Sequence, residues 1–261
     1  HLSLRRQRQM CIRDSHNVPG AEEYTHSIQT LSKSRETFHH ISELPNGAKV
    51  GIVGAGLSGI ELASELRESR SDLQIFLYDR GERILRRFPE KLSKYIEKWF
   101  KKHDVTVVPN SDINRVEPGC IYNNDVPEEL DLIVWTAGIQ PVELVRNLPI
   151  DISKGGRVIL NQYHQVPTYK NIYVVGDCAD LPHAPSAQLA EAQGDQIADV
   201  MKLQWQNKPL PEKMPEIKIQ GFLGSLGDKK GFAYIMDRTV TGRLASILKS
   251  GVLWMYKYHN G

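Results

Sequence analysis

Three glycines, Gly54, Gly56 and Gly59, stand at G-x-G-x-x-G spacing directly after the apolar run 49–53, and Asp79 follows about 25 residues later. Together these residues describe anion chemistry. Gly54 permits a tight turn, Gly56 leaves room for a pyrophosphate, and Gly59 lets a helix pack against the preceding strand. Leu57 and Ser58 complete the turn that opens the helix, whose N-terminal N–H groups and dipole favour negative charge. Asp79 ends the second apolar run, where a carboxylate accepts ribose hydroxyls and repels a 2′-phosphate. That favours NADH over NADPH, although Arg80 and Arg83 stand close enough in sequence to accommodate a phosphate. The alternatives are a purely structural glycine turn and a solvated loop acid.

A second segment, NIYVVGDCADLPHAPSAQLAEAQG, reads as a strand ending in Gly176-Asp177, a proline-containing turn, and a helix from about 185 to 203. Strand, Gly-Asp, loop and helix again suit a ligand, the alternative being a helix cap that binds nothing. The N–H groups of Ala187 and Gln188 would lie at the positive end of that helix. A third element, WTAGIQP at 135–141, ends an apolar run with Ala137 and Gly138, small enough for backbone to approach a cofactor.

The elements that must position these residues alternate as strand and helix. Strands are expected at 49–53, 73–78 and 105–108, with helices at about 57–67 and 89–102 between them. This βαβαβ spacing predicts a parallel sheet with right-handed crossovers, an α/β, Rossmann-like fold. Short strands at 113–116 and 119–122 suggest an antiparallel excursion before a buried strand at 130–135. Further strands are expected at 157–160, 171–175, 217–223 and 231–235, and a final helix at about 242–258.

The resulting division is 1–15 as a non-native tail, 16–47 as a connector, 48–145 as the NAD-binding domain, 146–207 as a further segment that the resemblance described below implies to be part of an FAD-binding domain, and 208–261 as a small α+β C-terminal region. The run RRQRQMCIRDS within the tail resembles a translated sequencing adapter, a basic tail being the alternative. Without residues 1–15 the balance is 29 basic against 30 acidic residues, so nucleic acid is not an expected partner. No run approaches the roughly 20 apolar residues needed to span a bilayer. The scattered Cys11, Cys120 and Cys178 form no CxxC, so neither a structural zinc nor any other metal is expected.

The GxGxxGxE fingerprint with Glu61, the Gly176-Asp177 segment, the TAGxxP element and Ala187-Gln188-Leu189-Ala190 resemble the two-dinucleotide-domain flavoproteins, and most closely the type II NADH dehydrogenases. The likeness covers about residue 17 to the end. It implies FAD and NADH as cofactors, with hydride passing from nicotinamide C4 to flavin N5 and electrons continuing to a membrane quinone. Asp177 would hold the ribityl or pyrophosphate region of the flavin. Gln188 would line the quinone site, although Ala192 stands where a glutamine is usual and Gln193 comes one position later. Glu61 would face the nicotinamide–flavin contact and relay protons, the alternative being an exposed helical acid.

The C-terminal helix places Leu244, Ile247, Leu248, Gly251, Val252 and Met255 on one stripe, which suits a membrane surface or packing within its own domain. The resemblance implies a cytoplasmic protein, peripheral on the inner face of the cell membrane, and is compatible with a homodimer. A complete relative carries an FAD fingerprint about a hundred residues upstream of the NAD one. None precedes Gly54, so this chain is expected to be a truncated fragment, inactive and poor at retaining flavin. Reduction of a small electron-transfer protein and a non-catalytic NADH-binding module are the alternative functions.

Overall fold

A computed structural model describes residues 11–13, 15, 18–86, 88–182, 185–219 and 221–260; most of the expected tail, residues 1–10 and 14, lies outside the described residues. The chain divides into two compact units, one comprising Arg13–Gly138 with Gly221–Gly261 and the other centred on Ile139–Gln220. The divisions therefore fall at 138/139 and 220/221, against the 145/146 and 207/208 read from composition.

The larger unit is built on a four-stranded parallel sheet in the order 105–108, 74–78, 49–53, 132–135. Four of the five residues of Lys49–Val53 are buried, as expected for a strand covered on both faces. Helix Leu57–Ser69 turns Ile60, Ala63 and Leu66 to the sheet, and helix Glu90–Lys102 turns Leu92, Ile96, Trp99 and Phe100 to it. Both follow the 3.6-residue period of their apolar positions. A separate antiparallel sheet of Ile113–Glu117, Cys120–Asn123 and Val126–Glu129 forms the excursion. Its third strand, VPEE, carried no apolar alternation to announce it.

Residues 221–261 are part of this unit's core. Leu226 and Phe232 are fully buried in the cluster that contains Ile52, Ile60 and Leu92. Phe232 stands in, and Leu226 directly follows a strand of, a three-stranded antiparallel sheet, Gly221–Ser225, Gly231–Ile235 and Arg238–Gly242, against which helix Arg243–Asn260 packs. The third strand escapes a sequence reading because its turn is Met236-Asp237, both at positive φ, rather than the Asn-Gly that usually signals a two-residue hairpin.

The smaller unit buries Val145, Val158, Val166 and Cys178 together. Its hairpin pairs Gln165–Val166 with Tyr169–Tyr173, and a short 3₁₀ turn at Gly176–Cys178 precedes helix Ala187–Trp205. The strand expected at 157–160 does not form: Val158 makes only isolated bridges to Ile152 and Ala179. Val158 is buried in the core of this unit while Ile159 is exposed, and no partner strand is long enough to build a ladder.

Candidate functional site

The parallel sheet delivers the fingerprint to its carboxyl edge. Strand 49–53 lies between strand 74–78, to which its own chain crosses, and strand 132–135, which is added on the other side, so the strand order reverses at the point where open α/β sheets form a ligand crevice. A cavity of about 550 Å³ opens there, lined by Gly54, Gly56, Leu57, Asp79, Ala137 and Gly138 among others. Ser58 belongs to the same helix start but does not line the cavity.

Two glycines are fixed by geometry. Gly54 sits at φ +108°, and a Cβ there would lie 2.8 Å from the Ala137 nitrogen. At Gly59 a Cβ would lie 1.9 Å from the Gly54 carbonyl oxygen, so only hydrogen permits the helix to start this close to the strand. Over Gly56 nothing lies within 4 Å of the Cβ position, leaving open space above the turn for a phosphate. The opposite wall is held by Thr136, whose hydroxyl donates to the carbonyl oxygens of Val53 (3.0 Å) and Gly54 (2.9 Å). The Trp135 indole N–H donates to the Ala137 carbonyl at 3.0 Å and fixes the loop carrying Ala137 and Gly138.

Asp79 joins the two sides of the cavity. Its Oδ2 accepts from the Ala55 N–H at 2.9 Å and its Oδ1 from the Gly81 N–H at 2.7 Å. A carboxylate has about four lone-pair sites, so two remain for ribose hydroxyls while the two backbone bonds hold it in place. Arg83, which sequence proximity made a candidate for a 2′-phosphate, is committed elsewhere. Its guanidinium donates to Ser93 Oγ at 2.6 Å and to the carbonyls of Arg86 (2.8 Å) and Phe88 (3.0 Å). Among the described residues, the basic ones lining the cavity are Arg80 and Arg86; Arg86 is not singled out by sequence because the segment after Arg83 has no recognisable pattern.

Glu61 does not line the cavity. Its Oε1 accepts from the Ser225 N–H at 2.8 Å and from Lys249 Nζ, which also donates to Ser225 Oγ at 2.6 Å. The carboxylate therefore joins the fingerprint helix to the C-terminal sheet and helix of the same unit. This partnership spans 188 residues of sequence, which no local pattern could reveal.

In the smaller unit, Gly176, Asp177, Ala187 and Gln188 stand at the turn and helix start expected for them, with the helix beginning at Ala187 rather than 185. Ser186 is the N-cap, its hydroxyl accepting from the Leu189 N–H at 3.2 Å. The Gly176 N–H donates to Gln193 Oε1 at 2.9 Å, and Arg157 Nε donates to the Asp177 carbonyl. Gln193 is fully buried, yet its Nε2 has no hydrogen-bond partner. Such a buried donor calls for an acceptor, and a ligand polar atom beside the Gly176-Asp177 turn would supply one. Cys178 is buried in the apolar cluster of this unit with Val145, Val158 and Val166.

A family model for pyridine nucleotide-disulphide oxidoreductases matches residues 12–194. The chain belongs to that family. The NADH dehydrogenase-like protein YutJ of Bacillus subtilis (strain 168) is 55% identical over 96% of this chain and 71% of its own length. The type II NADH:quinone oxidoreductase of Haemophilus influenzae is 27% identical, and this chain spans about half of it, 54%. The structure of NDH2 from Plasmodium falciparum in complex with NADH superposes with a TM-score of 0.77 at 15% identity, covering 93% of this chain and 72% of that one, a likeness of fold. Membership of the pyridine nucleotide-disulphide oxidoreductases implies FAD and NADH as cofactors. The open turn at Gly56, the placed carboxylate of Asp79 and the orphan donor of Gln193 fit such a pair.

Proposed function

We propose that this chain contributes the NADH-binding part of an FAD-dependent NADH:quinone oxidoreductase. The observation that carries the reading is the cavity at the carboxyl edge of the parallel sheet, where the glycine turn and the tethered Asp79 meet the Thr136–Gly138 loop. Gly54, Gly56, Leu57, Ser58 and Gly59 would hold the pyrophosphate on the helix N-terminus, and Asp79 the adenosine ribose. Ala137 and Gly138 would let the nucleotide lie against backbone. Gly176, Asp177, Ala187 and Gln188 would hold flavin, with the positive end of helix Ala187–Trp205 toward its anionic edge. Bound FAD would supply the redox chemistry that links two-electron oxidation of NADH to reduction of quinone.

Glu61 is proposed as a proton-relaying residue, with Gln188 beside quinone. The ion pair with Lys249 keeps the Glu61 carboxylate in place, and its side chain remains a third exposed, so exchange with solvent protons is open.

Membrane docking through the C-terminal helix is proposed from its exposed stripe. Leu244, Ile247 and Met255 are 50% exposed or more, as are Trp254 and Tyr258, while Ala245 faces the sheet. The helix also packs against the C-terminal sheet, and the exposed part of the stripe is what supports docking on a surface. The side chains of Tyr256 and Lys257 lie outside the described residues. No helix among the described residues is long and apolar enough to cross a membrane, so attachment would be peripheral, at the inner face of the cell membrane. A homodimer is part of the same proposal.

The test is NADH binding and, with added FAD, NADH oxidation by the purified chain, using a soluble quinone and a ferredoxin-like protein as alternative acceptors. NADH binding is expected, with quinone reduction where added FAD is taken up, and Asp79→Asn should weaken NADH by about tenfold while narrowing the preference over NADPH, as loss of a charged hydrogen-bond acceptor predicts. Failure of the wild-type chain to bind NADH would sink the proposal, and exclusive activity with the ferredoxin-like acceptor would replace quinone. Cosedimentation with anionic vesicles tests the docking surface, and its loss in Ile247→Glu is the expected result.

A further inference from the structure

Outside the nucleotide cavity, the structure brings together His26, Glu36 and His40, whose ligand atoms all lie within 4.8 Å of one another. The scaffold under them is rigid. His26 forms a parallel bridge with Val134: its N–H donates to the Ile133 carbonyl at 2.8 Å, and its carbonyl accepts from the Trp135 N–H at 2.9 Å. Glu36 and His40 lie one turn apart on helix Leu31–Glu43, the i,i+4 spacing that sets two side chains on one face. Two hydrogen bonds tie that helix to the His26 segment. Thr37 Oγ1 donates to the Ser27 carbonyl at 2.9 Å, and Ser34 Oγ donates to the Ile28 carbonyl at 3.0 Å. Register between the strand-edge histidine and the helical pair is therefore fixed by a backbone bridge on one side and by two side-chain-to-backbone hydrogen bonds on the other, before any ligand arrives.

We propose that His26, Glu36 and His40 bind a zinc-class divalent cation through two imidazole nitrogens and one carboxylate oxygen, with a fourth position open to water. Two imidazoles and a carboxylate are a three-ligand set that zinc accepts, and borderline divalent metals prefer such nitrogen-rich sites over all-oxygen ones. Around a tetrahedral ion with ligand bonds of about 2.0–2.1 Å, ligand atoms sit roughly 3.3 Å apart. The side chains must close by up to about 1.5 Å, within rotamer adjustment, since Glu36 and His40 are on the surface.

The competitor for Glu36 is Lys33, whose Nζ donates to Glu36 Oε2 at 2.8 Å. Both side chains are about half exposed, so this ion pair is weak and can open. Lys33 nevertheless places a positive charge beside the site, and removing it should tighten metal binding. His39 points to a different partner, Glu43 at 3.5 Å, and is not part of the site. None of the three ligands lines the nucleotide cavity. Yet the bridge to strand 132–135 and the Gln29 Nε2–H donated to the Gly138 carbonyl (3.4 Å) connect this segment to the cofactor loop. An ion at the site would fasten helix Leu31–Glu43 to the strand that ends in that loop.

The experiment titrates zinc chloride into the tag-free, chelator-treated 261-residue chain by calorimetry, with cobalt absorption as an independent record of coordination. One equivalent should bind, with tetrahedral cobalt bands and a thermal midpoint that rises with the logarithm of zinc concentration. His40→Gln and Glu36→Gln change surface side chains and should fold normally. Each is expected to weaken zinc at least tenfold, His26→Gln likewise, Lys33→Gln should tighten it, and His39→Gln should leave it unchanged. The proposal is overturned if the wild-type chain takes up no equivalent of zinc below about 10 µM, a threshold of about −7 kcal/mol. It is equally overturned if His40→Gln and Glu36→Gln bind as the wild type does, which would place the ion on other residues.

Discussion

Gly59→Ala adds a single methyl group at the most confined point of the fingerprint. Its Cβ would start 1.9 Å from the Gly54 carbonyl oxygen and 2.9 Å from Thr136 Oγ1, so the gap to Gly54 must open by at least about 1.1 Å before reaching the shortest contact that real side chains show. Neither neighbour can yield freely. The Gly54 carbonyl accepts from Thr136 Oγ1 and the Gly54 N–H donates to the Tyr78 carbonyl at 2.8 Å, so the helix must move instead. Overpacking of this kind costs about 1–3 kcal/mol, against which alanine returns up to about 1 kcal/mol of helix propensity. A net loss of about 1–2 kcal/mol should lower Tm by roughly 2–8 °C in a protein of this size.

Displacing the first-turn N–H groups by about an ångström should also weaken NADH roughly 10- to 100-fold, the equivalent of one charge-assisted hydrogen bond. The assays are thermal unfolding and NADH titration followed by tryptophan fluorescence. Gly194→Ala is the internal comparison. Gly194 is an exposed helical glycine with nothing within 4 Å of its Cβ position, and its substitution should stabilise by about 0.5–1 kcal/mol. Wild-type NADH affinity and Tm in Gly59→Ala would refute the argument that close helix–strand approach positions the phosphate site.

Arg83→Ala should destabilise by about 2–3 kcal/mol, because several hydrogen bonds to a partly buried guanidinium are lost together, while the NADH-to-NADPH preference stays unchanged. A changed preference without loss of stability would return Arg83 to the nucleotide. Tyr78 is buried, and burial together with its hydroxyl donating to Glu128 Oε2 at 2.7 Å raises its phenol well above the ordinary value. The folded state therefore holds this proton longer than the unfolded chain, so the contribution is complete below about pH 10 and is lost as pH rises above it, at up to about 1.4 kcal/mol per pH unit. Tyr78→Phe should flatten alkaline unfolding by that slope, and an unchanged slope would show that Tyr78 ionises normally.

The parts of this protein that are legible in its sequence are those whose causes are local. The glycine spacing fixes a turn and a helix start through sterics at Gly54 and Gly59, and alternating apolar periods fix the strands and helices of the parallel sheet. Asp79 is legible because strand length places the second strand's end beside the turn. Tertiary structure alone decides which side chains remain available. Arg83, four residues after Asp79, is drawn to Ser93 and to the carbonyls of Arg86 and Phe88, which only the folded chain brings to it. Glu61 is taken up by Ser225 and Lys249 because the C-terminal sheet shares the core of the nucleotide unit through Leu226 and Phe232. Likewise Glu36 and His40 announce their common helical face by spacing, but His26 joins them only because its backbone pairs with strand 132–135. Periodicity records which face a residue occupies on its own element; what that face meets is set by chain segments tens to hundreds of residues away.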